Sequence, residues 1–118
     1  FFFACDRGST RIGERYDPLA PEVLRAMKGV VDACKAHKVE LSFCGEMARR
    51  PLEAMALIGI GLTTLSLPTL SLGPIKGMVR SLNHKEITSY VNGLLSSDEI
   101  SLRPKLAAFA RDHGLQID

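Results

Sequence analysis

The chain has 118 residues, with 15 basic and 13 acidic side chains and a formal charge of +2. That length allows one domain with a sizeable core, and the charge balance selects no partner class. No basic stripe with interleaved aromatics points to nucleic acid, and no apolar run approaches the ~20 residues of a membrane helix.

The opening Phe1-Phe2-Phe3-Ala4-Cys5 has no initiator Met and no signal-peptide pattern. Three aromatics make a poor free end for a soluble protein, so the sequence reads as starting inside a larger one. Three cysteines without disulfide-framework spacing point to a reducing cytosol.

Gly8 to Pro21 reads as a long polar connection. Pro21 to Lys38 is a predicted helix, with Pro21 suited to its first turn. Val23, Met27, Val30 and Cys34 fall on one face of it, widened by Leu24 and Val31. Val39 to Cys44 alternates in a period of two: Val39, Leu41 and Phe43 on one side, Glu40, Ser42 and Cys44 on the other. Pro51 to Ile60 is a second helix, closed by Gly61. Thr63 to Leu67 reads as a second strand. Pro74 to Leu82, His84 to Ser96 and Ser101 to His113 are further helices, the last stopped by Gly114.

Helix–strand–helix–strand–helix implies an α/β fold with a parallel sheet and crossover helices. Two strands cannot close a sheet, and a complete barrel takes ~250 residues. The pattern fits the C-terminal portion of a (β/α)8 TIM barrel, about its last two strands, over residues 1–82. Residues 83–118 are a C-terminal helical appendix. An isolated piece would leave strand edges unpaired and is expected to self-associate.

The sharpest chemical signal is Phe43-Cys44-Gly45-Glu46-Met47-Ala48. In parallel α/β sheets reactive groups gather at the C-terminal ends of strands, where Cys44 falls. An ordinary thiol has a pKa of ~8.5, so it can give a proton at neutral pH or, as thiolate, take one. The same residue also reads as a small buried hydrophobe, the commoner fate of a cysteine.

Cys34, His37 and Cys44 have irregular spacing and no fourth ligand, which argues against structural zinc. Cys34 reads as core and Cys5 as packing. His84 falls at a helix start and His113 at a helix stop, where it suits the negative end of the dipole. Glu46 could orient Cys44 or a substrate, or turn to solvent. Arg15, Tyr16 and Asp17 are expected to fix the loop.

The runs Cys44-Gly45-Glu46-Met47-Ala48, Pro51-Leu52-Glu53-Ala54 and Leu57-Ile58-Gly59-Ile60-Gly61 resemble the signature of enzyme I-type phosphoenolpyruvate–protein phosphotransferases. So do Cys5-Asp6-Arg7-Gly8, Arg15-Tyr16-Asp17-Pro18-Leu19 and Gly73-Pro74-Ile75-Lys76. The resemblance runs from about Ala4 to Leu82. Arg50 to Ala56 and Phe109 to Gly114 look most like the nitrogen-type branch.

The resemblance implies a cytoplasmic homodimer whose barrel binds phosphoenolpyruvate and Mg²⁺. Its phosphoryl group passes to a histidine in another domain and on to an HPr-like phosphocarrier. Cys44 matches the family's catalytic cysteine, which protonates enolpyruvate at its methylene carbon. Arg7 matches the arginine of the Asp-Arg-Gly motif, whose guanidinium fork suits phosphate and carboxylate. The Mg²⁺-binding carboxylates and phosphorylated histidine are expected upstream of Phe1. No metal ligand is assigned here, and the chain alone is expected to be inactive.

Where the family has Gly-Asp, this chain has Arg49-Arg50, expected to face solvent. Leu67-Pro68-Thr69-Leu70 also departs from the family's Ser-Met-rich version. Two alternatives stand beside this reading. One is a phosphoenolpyruvate synthase or pyruvate, phosphate dikinase-like barrel. The other is a non-catalytic dimerisation module.

Overall fold

The computed structural model describes residues 3–6, 8–12 and 16–117. The described residues hold five α-helices: α1 (Pro21–Ala36), α2 (Pro51–Gly59), α3 (Thr69–Ser81), α4 (His84–Leu94) and α5 (Arg103–Asp112). A 3₁₀ turn, Glu46–Arg49, precedes α2.

Pro21 opens α1, and Glu22 and Lys35 oppose the helix dipole at its two ends. Its inner stripe is Leu24 and Val31, with Met27 half-buried. Val30, expected on that stripe, is 55% exposed. Two apolar stripes overlap on this helix, offset by one residue, and the core takes the one carrying Leu24. The helix ends at Ala36 rather than Lys38, because Lys38 turns to a φ of 56°.

α2 is the centre of the molecule. Leu52 to Leu57 are all buried, and α2 packs on α3, α4, α5 and the 3₁₀ turn. Its closest approach is to α4. A Cβ at Gly59 would stand 2.5 Å from Val91 Cγ2 and 3.3 Å from the Ile87 carbonyl oxygen. Gly59→Ala is therefore expected to cost about 1–3 kcal/mol by overpacking. An unchanged urea midpoint would mean that α2 and α4 part freely.

α3 begins five residues before Pro74, the predicted start, and carries that proline in its interior. Pro68 presets the entry with a φ of −64°. Gly73, lacking a Cβ, removes much of the clash that a proline imposes on its predecessor. α4 has a side-chain cap: Asn83 Oδ1 accepts the Lys85 and Glu86 N–H groups at 3.1 and 3.4 Å. Asn83 Nδ2 donates in turn to Glu86 at 2.8 Å. α4 and α5 share one core with α2 through Ile87, Val91, Leu106, Phe109 and Ala110.

The two expected strands need correction. Among the described residues they contract to one parallel bridge between Phe43 and Leu65. Phe43 N–H donates to Thr64 O at 3.0 Å, and Ser66 N–H donates to Phe43 O at 2.8 Å. The fold described is therefore mostly helical, not an assembled α/β sheet. The alternation itself is kept in part: Leu41 and Phe43 are half-buried, and Ser42 and Cys44 are exposed. Two segments touching at a single register cannot extend a ladder when nothing among the described residues pairs their outer edges.

Candidate functional site

The bridge aligns the end of the segment holding Cys44 with the segment holding Leu65. Phe43 packs half-buried against the core, and alternation leaves Cys44 exposed. The chain then turns at Gly45, whose φ and ψ are extended at −142° and 170°. A Cβ there would meet the Phe43 ring at 2.9 Å, so glycine lets the chain fold back over that ring. The 3₁₀ turn follows, with Met47 and Ala48 buried and Glu46 and Arg49 outside.

Glu46 pairs with Arg49 at 2.9 and 3.1 Å on the surface. Arg50 is 70% exposed and lies 3.8 Å from Glu53. Arg49 and Arg50 are thus exposed, with carboxylates beside them. Arg7 and Arg15 lie outside the described residues. Gly8 N–H donates to Asp6 Oδ1 at 2.8 Å.

Beside the turn is a cavity of about 700 Å³ between α1 and the starts of α2 and α5. Met27, Phe43 and Met47 give its apolar wall, and Asp17, Glu53 and Arg103 its charged one. Phe43 and Gly45 line it and Cys44 does not, so the thiol belongs to the other face of the segment.

The charged wall is a network that the sequence did not predict. Glu53, 2% exposed, accepts from Arg103 Nη2 at 2.8 Å. The same nitrogen reaches Asp17 Oδ1 at 3.2 Å. Asp17 also accepts from the Leu19 N–H at 3.0 Å and from the Ser101 hydroxyl. Leu102 N–H donates to Leu19 O at 2.9 Å, which stitches the start of α5 to the loop before α1. Asp17 thus fixes the loop, as its sequence context suggested. The available signal for the rest was Glu53 itself, the one charge in a helix otherwise made of apolar and small residues.

Burial pushes the Asp17 carboxyl up, but Ser101, the Leu19 N–H and Arg103 outweigh it and hold the group below its ordinary 3.8. Burial also disfavours the Arg103 cation, and the Glu53 and Asp17 carboxylates more than offset that, raising its pKa. A depressed carboxylate adds stability in full above its unfolded pKa and loses it as pH falls through the folded value. The urea midpoint is therefore expected to drop as pH goes from about 5 to about 3, with a shallower drop in Asp17→Asn. Identical pH profiles would remove Asp17 from acid stability.

Cys34 is half-buried and lines a separate cavity with Lys35, Val39 and Leu41. Cys5 is half-buried, His84 begins α4, and His113 caps α5 with its ring stacked 4.0 Å from Phe109. Among the described residues no three His, Cys, Asp or Glu side chains gather into a possible metal site. These residues do not fit a Mg²⁺ ion. No helix among them is long and apolar enough to cross a membrane.

Comparison with known proteins bears on this site. Residues 1–84 match the family model described as PEP-utilising enzyme, PEP-binding domain. A protein of Salmonella typhimurium described as "Phosphoenolpyruvate-dependent phosphotransferase system" is 30% identical over 116 residues, 98% of this chain and 16% of its own length. A protein of the same description from Escherichia coli is 31% identical over 116 residues, with the same shares. A "Phosphoenolpyruvate-protein phosphotransferase" of Haemophilus influenzae is 34% identical over 86 residues, 73% of this chain and 15% of its own length. The chain spans about a sixth of the length of these curated relatives. The family match includes the Cys44 turn, Asp17 and Glu53 and stops before Arg103. On that match, this chain belongs to the PEP-binding domain family of PEP-utilising enzymes.

Proposed function

We propose that the chain is part of the (β/α)8 phosphoenolpyruvate-binding domain of an enzyme I-type phosphotransferase, with Cys44 as its acid–base residue. The observation that carries this reading is an exposed thiol at the end of the bridged segment, directly before the Gly45 turn. A reacting carbon can approach such a thiol. The names of the relatives support the same activity.

The bridge geometry supports the barrel. Phe43 directs its N–H and C=O to the Leu65 segment, so the backbone groups of Ser42 and Cys44 face the opposite side. In a barrel those edges are closed by neighbouring strands. Residues 1–82 then belong to the barrel and 83–118 to its helical extension.

When the phosphoryl group leaves phosphoenolpyruvate, the enolate of pyruvate remains. The proton of the Cys44 thiol passes to the methylene carbon, the double-bond electrons form the new C–H bond, and a lone pair of the enolate oxygen closes the carbonyl. Cys44 is left as thiolate, and the reverse reaction returns the proton. Arg7 holds the substrate's anionic groups. The phosphoryl group goes to a protein histidine and on to an HPr-like carrier. The parent is a cytoplasmic, Mg²⁺-dependent homodimer of the nitrogen-type branch.

The test is phosphorylation of an HPr-like carrier by the full-length natural protein with phosphoenolpyruvate and no nucleotide. Carrier labelling is expected. Nucleotide-dependent phosphorylation of pyruvate instead would assign the dikinase reaction. Turnover of neither would leave an interaction module.

A further inference from the structure

α5 has an apolar anchor of its own: Leu102, Leu106, Phe109 and Ala110 are all buried. Docking this helix does not require a charge at its first residue. Yet Arg103 Nη2 is shared between Glu53 at 2.8 Å and Asp17 at 3.2 Å. These carboxylates belong to the two chain segments that flank the Cys44 turn. Glu53 is in the first turn of α2, directly after Glu46–Arg49. Asp17 is in the loop entering α1, and both line the cavity that Phe43, Gly45 and Glu46 also line. Around this fork, Ser101 Oγ accepts the Arg103 N–H at 3.1 Å while its hydroxyl donates to Asp17. Arg25 of α1 donates to the Leu95 carbonyl between α4 and α5.

We propose that Arg103 is a positioning residue for Cys44. Its guanidinium holds the α2 start and the α1 loop at a fixed spacing, and that spacing sets where the Cys44–Gly45 turn presents the thiol. Hydrophobic contacts resist separation but tolerate sliding, because they have no direction. Both carboxylates accept from the one nitrogen Nη2, whose two N–H bonds lie in the guanidinium plane, so the tie fixes direction as well as distance. Glu53 is 2% exposed and Arg103 39%, so the tie on the α2 side is screened only in part. This inference rests on Cys44 as the acid–base residue, and it places a residue of the helical extension, beyond the family match at residue 84, in control of the turn.

The test compares wild type with Arg103→Gln and Arg103→Lys in the full-length natural protein. Phosphoenolpyruvate turnover is measured alongside timed alkylation of Cys44, read by peptide mass spectrometry with the Cys34 peptide as internal control. In Arg103→Gln, kcat is expected to fall at least about tenfold with KM within about twofold, since small misplacements near a reacting group cost rate rather than binding. The alkylation rate of the exposed Cys44 is expected to change at least about threefold as the thiol's surroundings shift with the turn, with Cys34 unchanged. Arg103→Lys should reverse part of both effects, because it restores the charge without the planar guanidinium. If Arg103→Gln does not fold, Arg103→Lys carries the same comparison. Wild-type kcat and wild-type Cys44 alkylation beside a lowered melting temperature would overturn the proposal and leave Arg103 a stabilising residue. Cys44→Ala separates the two ideas. Transfer that survives it removes the acid–base reading, and the alkylation comparison still decides the positioning role.

Discussion

Cys44→Ala in the full-length natural protein is expected to lower phosphoenolpyruvate-dependent transfer by about 10²–10⁴-fold, the range for losing a positioned proton donor. Stability should move by less than about 0.5 kcal/mol, as for a surface substitution away from caps and networks. The two effects separate because Cys44 is exposed. Deleting its sulfur opens no cavity, so a fall in rate cannot be charged to a weakened core. Proton transfer occurs only on the way to the transition state, so kcat and kcat/KM should fall together. Cys44→Ser keeps the shape without the thiol's acidity and should recover little. Stopped-flow transfer to an HPr-like carrier and urea denaturation check both halves. Transfer close to wild type in Cys44→Ala would take the thiol out of the reaction. Loss of stability in step with loss of rate would make it a packing residue instead.

The helices were legible in the sequence because their signals are local. Pro21 and Pro51 mark the starts of α1 and α2 as read, and His84 begins α4. The start of α3 was misplaced because a proline usually marks a first turn, whereas Pro68 caps this helix and Gly73 makes room for Pro74 inside it. Alternation around Phe43 and Cys44 was readable because side-chain direction follows from period two alone. Whether alternating segments become strands depends on neighbours, and here the described residues supply one bridge. The Cys44 turn was found because its residues are consecutive. The Asp17–Glu53–Arg103 network was not, because its members are 50 and 86 positions apart. No periodicity links such positions, and only the isolated charge of Glu53 among buried Leu52, Ala54 and Met55 hinted that a partner was needed.

That network carries the second large expectation. Arg103→Met should cost about 2 kcal/mol. Breaking a fully buried pair costs about 3–5 kcal/mol, and the lower figure follows because Arg103 is 39% exposed and its charge is partly screened. Most of the loss comes from Glu53, left buried with Arg50, at 3.8 Å, as its remaining cationic partner among the described residues. The double variant Glu53→Met, Arg103→Met removes that stranded charge and places two apolar side chains against Met27 and Met47, which line the same cavity. It should regain most of the stability, giving a coupling energy of about 1–2 kcal/mol in a double-mutant cycle. Urea unfolding at neutral pH, with linear extrapolation, reads it. Strict additivity would mean that Glu53 and Arg103 stabilise the fold independently, whatever their 2.8 Å separation. The double variant also divides stability from function. It retains a filled core but has lost the fork between the α2 start and the Asp17 loop. If the fork serves only to hold the molecule together, the double variant turns over like wild type. If it sets the Cys44 turn, the double variant is folded and slow, and only restoring a guanidinium opposite two carboxylates brings the rate back.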